Sequence, residues 1–259
     1  MSLKEIRKDI QRRMLRRSLR LMSTFIMDRR YETECRRARN HLPALLPVVA
    51  EYIDKQRAAG GLYWDSTALK MIELHRLLVE VRPAFVVELG GGTTTCVTAH
   101  TLSEWGGRLL SIDEAPEYSN STRERLPEHL RQHVSFEVLT RAEEQTGGRS
   151  TAVHYDDRLR EVARDFTGSS KIDLLYIDGP SDGKVLPCTD CSRLLDAGVD
   201  IPVLAFDCRH ESARHFLETK HSLLYQRSLH YKAARPEDDP WPVGDARHHT
   251  IFRRLRASS

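Results

Sequence analysis

The chain has 259 residues, 40% of them hydrophobic and 30% charged, with a formal net charge of +3. That is enough for one large α/β domain with an extension, and it excludes a disordered, collagenous or disulfide-stapled chain. No apolar run is long enough to span a bilayer and no signal peptide is visible. Five irregularly spaced cysteines, Cys35, Cys96, Cys188, Cys191 and Cys208, point to a reducing cytoplasm.

The first element is basic. Residues 1–41 carry thirteen Lys/Arg against five Asp/Glu, so the rest of the chain is mildly acidic. Ile6, Ile10, Met14, Leu21, Met22, Phe25 and Ile26 recur at near-helical spacing between arginines. This reads as one or two amphipathic helices whose apolar stripe packs on the chain's own body or on a second subunit, giving a homodimer. Contact with nucleic acid or a membrane surface is the less favoured reading, because the body itself is not basic. Another helix is expected over 48–57, and Ala58-Ala59-Gly60-Gly61 marks a boundary. Residues 1–60 thus form a helical extension and residues 61–259 the main domain.

Ser66 is expected to cap a helix from Thr67 to Val81 that Pro83 ends. Strands and helices then alternate. Strands are predicted at Ala84–Leu89, Arg108–Ile112, Val134–Leu139, Ile172–Ile177, Pro202–Phe206, Leu223–Gln226 and Thr250–Arg254. Helices are predicted near 94–104, 117–132 with a break at Pro127, 157–165, 186–195 and 211–220. Such alternation implies an α/β fold: a Rossmann-like, doubly wound, mostly parallel seven-stranded sheet covered on both faces. Ligands of such sheets bind beyond the carboxyl ends of the strands.

The first strand ends in Glu88-Leu89-Gly90-Gly91-Gly92-Thr93-Thr94-Thr95. Bare glycines followed by a helix start let a ligand approach the backbone closely. The nicotinamide fingerprint wants a small third residue where Thr95 stands. Glu88, an acid just before the turn, suits a ligand bearing an ammonium group. The second strand ends in Asp113-Glu114, about twenty residues further on, the place for an acid that accepts ribose hydroxyls. Glu114 is the alternative to Asp113. The run Ile177-Asp178-Gly179-Pro180 ends the fourth strand, and Phe206-Asp207-Cys208-Arg209-His210 the fifth.

The stretch E-L-G-G-G-T-T resembles motif I of the class I S-adenosylmethionine-dependent methyltransferases, and I-D-G-P resembles motif IV of their small-molecule members. The resemblance covers about residue 63 to the C-terminus. It implies S-adenosylmethionine bound by Glu88, Gly90, Gly91, Gly92, Thr93, Thr94, Asp113, Glu114 and Asp178, and a small-molecule hydroxyl as acceptor. It also places Asp178 at the transferred methyl group, with Asp178, Asp207 or His210 as general base. Metal-dependent O-methyltransferases hold a divalent ion with acids at these strand ends, so Asp178 and Asp207 are candidate Mg²⁺ ligands, although Cys208 stands where a further oxygen ligand is expected. The region after the third strand, with Arg141 and Glu143, commonly contacts adenine in that family.

Other readings stay open. One is a nicotinamide-dependent oxidoreductase. Another is a non-catalytic cofactor-binding module docked through its N-terminal helices. Cys188, Cys191, Cys208 and His210 form a weak zinc pattern. Tyr63, Trp64, Tyr155 and Trp241 are candidate walls of an acceptor pocket.

Overall fold

The computed structural model describes residues 32–60, 66–180, 186–207, 209–228 and 249–255. The basic amphipathic stripe before residue 32, and Tyr63, Trp64, Cys208, Trp241 and His248, lie outside the described residues.

The first described helix, α1, covers residues 32–45, and α2 follows as Pro47–Ala58 with Pro47 in its first turn. Proline suits that place because its missing N–H would have had no helical partner. Ala59 and Gly60 form a turn after α2. Helix α3, Thr67–Val81, has Ser66 at its N-cap position without the expected side-chain hydrogen bond.

Strand β1 (Phe85–Leu89) leads through the glycine turn to α4 (Thr93–Ser103) and then to β2 (Arg108–Asp113). The helix expected over 117–132 is two, α5 (Pro116–Arg125) and α6 (Glu128–Arg131), split at Pro127 as anticipated. Next comes β3 (Val134–Val138). A hairpin with no counterpart in the sequence reading follows, β4 (Arg141–Thr146) and β5 (Arg149–Tyr155), turning at Gly147-Gly148. The chain continues through α7 (Arg158–Thr167), β6 (Leu174–Ile177), α8 (Asp190–Asp196), β7 (Val203–Asp207) and α9 (His210–Glu218). Helix α8 starts later than the expected residue 186, after Pro187. A 3₁₀ helix, Lys220–Leu224, takes part of the span predicted for the sixth strand, which is β8 at Tyr225–Ser228; β9 is His249–Arg254.

The main sheet has seven strands in the order β3-β2-β1-β6-β7-β9-β8. The first five of that order pair in parallel, and β9 runs antiparallel to both its neighbours. Strand order reverses between β1 and β6, which makes that gap the switch point where ligands of open α/β sheets bind.

Successive side chains of a strand point to opposite faces, and two cores result. Val86, Leu109, Leu174, Tyr176, Ala205 and Ile251 face α1 to α4. Val87, Leu110, Leu175, Leu204 and Phe252 face α7, α8 and α9. Cys35, Leu42, Val49 and Tyr52 of α1 and α2 belong to the first core together with Leu74 and Val97. Among the described residues, no helix is long and apolar enough to cross a membrane.

Candidate active site

Alternation along the strands places Glu88, Ser111, Asp113, Asp178 and Asp207 on the α3/α4 side of the sheet, and all but Ser111 at or next to strand carboxyl ends. Two groups form there, one around the glycine turn and one above β6 and β7.

At the turn, Gly90 has φ +87, a region side chains rarely adopt. A Cβ on it would also lie 2.6 Å from the Gly179 backbone nitrogen, so the end of β1 and the end of β6 pack backbone to backbone. A Cβ on Gly92 would meet nothing within 4 Å, so the turn is open on that side. Thr95 explains its own presence where the nicotinamide fingerprint wants glycine. Its hydroxyl accepts from the Gly92 N–H at 2.9 Å and donates to Glu88 at 2.6 Å. Ser111 donates to the same Glu88 oxygen at 3.2 Å.

Glu88 is fully buried. Its pKa is pushed up to about 7, by burial first; hydrogen bonding from Thr94, Thr95 and Ser111 offsets part of that. Its carboxylate supports the turn from beneath.

Asp113 stands at the end of β2, nearly buried, and accepts from the Gly91 N–H at 3.2 Å and the Glu114 N–H at 2.8 Å. Burial raises its pKa above the usual carboxylate value. Oδ1 also accepts from the Ala115 N–H at 3.5 Å, while Oδ2, bonded among the described residues to the Gly91 N–H alone, keeps a lone pair for a further donor. Thr93 donates to Gln56 of α2 at 2.8 Å, so the N-terminal helices reach the turn, a link no motif announced.

Above β6 and β7 the structure brings Asp178 and Asp207 together, as expected, but with a lysine between them. The Lys70 ammonium, from α3, is ion-paired with Asp207 and lies 3.6 Å from Asp178. Arg209 lies 3.6 Å from the other Asp178 oxygen. Asp207 is inaccessible, while Asp178 keeps 30% of its side chain exposed. Burial, then the charge of Asp207, raises the Asp178 pKa. For Asp207 burial is outweighed by Lys70, His249 and the Tyr176 hydroxyl, and the carboxyl is held below its usual value. Behind this pair, Tyr176 is 3.0 Å from His249, which is 3.2 Å from Glu73. Among the described residues no three His, Cys, Asp or Glu side chains converge on a cation site. The Mg²⁺ expectation therefore meets two acids already bridged by an ammonium.

His210 opens α9 directly after this loop. The zinc pattern finds no support in its cysteines. Cys188 donates to Asp190, and among the described residues no three His, Cys, Asp or Glu side chains come together as a metal site. Arg141 and Glu143 pair with each other on β4. The Tyr155 ring is buried, and its hydroxyl would lie 2.8 Å from a Cβ on Gly179, which ties it to the site. Lys70, Arg209, Gln56 and Ser111 escaped the sequence reading. A surface hollow of about 250 Å³ between α7 and α8 contains none of the residues of either group.

Comparison with solved structures adds the shape. The chain superposes on an O-methyltransferase from Bacillus cereus in complex with SAH with TM-score 0.51 and 14% identity, covering 84% of this chain and 96% of that one. For PaMTH1, an SAH-bound methyltransferase from Podospora anserina, the figures are 0.51 and 12%, over 80% and 88%. For cofactor-bound Rv0187 from MTB they are 0.51 and 14%, over 83% and 94%. The chain has the methyltransferase fold. No family model and no curated protein matches the sequence. The fold differs from the six-stranded dinucleotide-binding order 3-2-1-4-5-6 by the antiparallel β9 wedged between β7 and β8.

Proposed function

We propose that the protein is an S-adenosylmethionine-dependent methyltransferase that O-methylates a small-molecule hydroxyl. One observation carries the reading. An open glycine turn faces an acid whose Oδ2 keeps a lone pair, at the switch point of a methyltransferase fold, and a second, partly exposed acid stands at the end of the next strand. These residues fit the nucleoside. Gly90 to Gly92 approach it without side chains, Asp113 accepts the ribose hydroxyls, and Glu88 fixes the turn through Thr95 and Ser111.

When bound, S-adenosylmethionine supplies an electrophilic methyl group. The chain's own part is orientation and proton transfer. Of the three candidate bases, Asp178 suits the role better than Asp207. Asp178 is partly exposed and its raised pKa strengthens it as a base; Asp207 is buried against Lys70. The mildly acidic body and the partly buried site favour a small acceptor over nucleic acid.

Calorimetry tests the cofactor. S-adenosylmethionine and its demethylated product are expected to bind and NAD is not. Asp113→Ala should weaken both by about tenfold or more, of order 1–3 kcal/mol for a lost charge-assisted contact. Mass spectrometry of a panel of phenols and aliphatic alcohols is expected to show products 14 mass units heavier, a CH₂ gained. Binding of NAD in place of the sulfonium nucleoside would sink the reading.

A further inference from the structure

Four charges meet above β6 and β7: Lys70 and Arg209, Asp178 and Asp207. The set is neutral as it stands. A divalent cation entering it would face an ammonium bonded to one acid and 3.6 Å from the other. Mg²⁺ needs only one or two carboxylates, with waters completing its shell, but here both carboxylates are already paired with a cationic side chain, and a divalent ion would enter against that charge.

The ammonium is held there by the fold. Lys70 and Glu73 are three residues apart and so lie on one face of α3. Glu73 is buried and tied to His249 on β9, which is tied in turn to Tyr176 on β6. This buried chain pins α3 over the strand ends one turn from Lys70. Lys70 keeps 23% of its side chain exposed and Asp178 30%, while Asp207 and Arg209 are buried. An incoming oxygen therefore meets Lys70 and Asp178.

We propose that the Lys70 ammonium does the work of a divalent cation: it binds the acceptor's hydroxyl oxygen beside Asp178 and stabilises the negative charge that grows there, so the transfer runs without metal. The proposal rests on the methyltransferase reading above. The oxygen's electron pair forms the bond to the methyl carbon as the carbon–sulfur bond breaks. The sulfonium becomes a neutral thioether, and the hydroxyl proton passes to the Asp178 carboxylate.

The test uses the full chain and Mn²⁺ as probe, read by electron paramagnetic resonance. Wild-type protein is expected to leave added Mn²⁺ free and to keep its turnover after chelation. Lys70→Glu, which adds a third carboxylate and removes the ammonium, should hold about one equivalent. Lys70→Gln serves if the glutamate variant fails to fold, and its Mn²⁺ affinity should rise at least about tenfold, roughly the effect of one removed charge. In turnover, Lys70→Arg is expected to retain more activity than Lys70→Gln at equal cofactor affinity. Wild-type protein that holds one Mn²⁺ equivalent, and releases it on Asp207→Asn substitution, overturns the proposal. So does a folded Lys70→Gln that matches wild type in both Mn²⁺ binding and turnover. Mn²⁺ binding does not depend on the nucleoside, and calorimetry on the same samples shows separately whether the methyltransferase reading fails.

Discussion

Glu88 is a buried acid that supports the glycine turn above it. It lies under the glycine turn, held by two hydroxyls, with a pKa pushed up to about 7 by burial. A carboxyl whose pKa rises on folding binds its proton more tightly in the native state. Its contribution to stability is complete below the ordinary value of about 4.5 and fades as pH rises through about 7. Glu88→Gln keeps an acceptor for Thr95 and Ser111 but cannot ionise. The variant should match wild type near pH 4 and exceed it above pH 8 by roughly 3 kcal/mol, an order-of-magnitude conversion of the shift. Urea unfolding across that pH range checks this. A gap between the two proteins that does not change with pH would show that Glu88 keeps one protonation state throughout. Sequence reading found Glu88 and Asp113 because both stand at fixed distances from the glycines. It missed Lys70 because nothing local distinguishes that lysine. Its partners lie on strands more than a hundred residues away, and only the packing of α3 brings them within reach.

The elements that the sequence disclosed are those with strong apolar signals. Strands β1, β2, β6 and β7 are short apolar runs ending at acids, and buried strands of parallel sheets read that way. The hairpin β4–β5 had no such signal. Arg141-Ala-Glu-Glu-Gln-Thr146 is polar and mostly exposed, and the hairpin gains its order from tertiary anchors. Thr189 donates to Glu144 at 2.9 Å, and Val153 bridges Cys188. Buried Asp190 accepts from the Tyr155 backbone N–H at 3.0 Å and 3.2 Å. Asp190→Ala would leave that N–H unpaired, at a cost of about 1–3 kcal/mol. Faster amide exchange confined to β5 and faster cleavage near Gly147 are expected, with the main sheet protected as before. Asp190→Asn, which keeps an acceptor, should restore most of the protection. Uniform loss across the sheet would mean that the hairpin is no separable unit.

At the scale of the molecule, the question is where the domain begins. A composition boundary at residue 60 reads as an extension followed by a domain. The described helices of that extension share a core with the domain. Ala38, Leu42, Leu46, Val49, Tyr52 and Ile53 are all buried in the cluster that contains Leu74, Val86 and Val97. Removing α1 and α2 would expose the α4 side of that cluster and release Thr93 from Gln56. Each fully buried large apolar side chain contributes about 1.5–3 kcal/mol, so the loss from several exceeds the ordinary stability of a domain of about 5–15 kcal/mol. A chain starting at residue 61 should therefore keep far-ultraviolet helix signal in part, lose its near-ultraviolet spectrum and bind a hydrophobic dye, the behaviour of a core without fixed packing. Cooperative thermal unfolding of that truncated chain, with a midpoint near that of the full protein, would show that the sheet and α3 to α9 fold without the helices before them. The charge-rich segment before residue 32 is a separate matter: if it docks on anionic partners, its removal should abolish salt-sensitive vesicle or RNA binding without touching the near-ultraviolet spectrum.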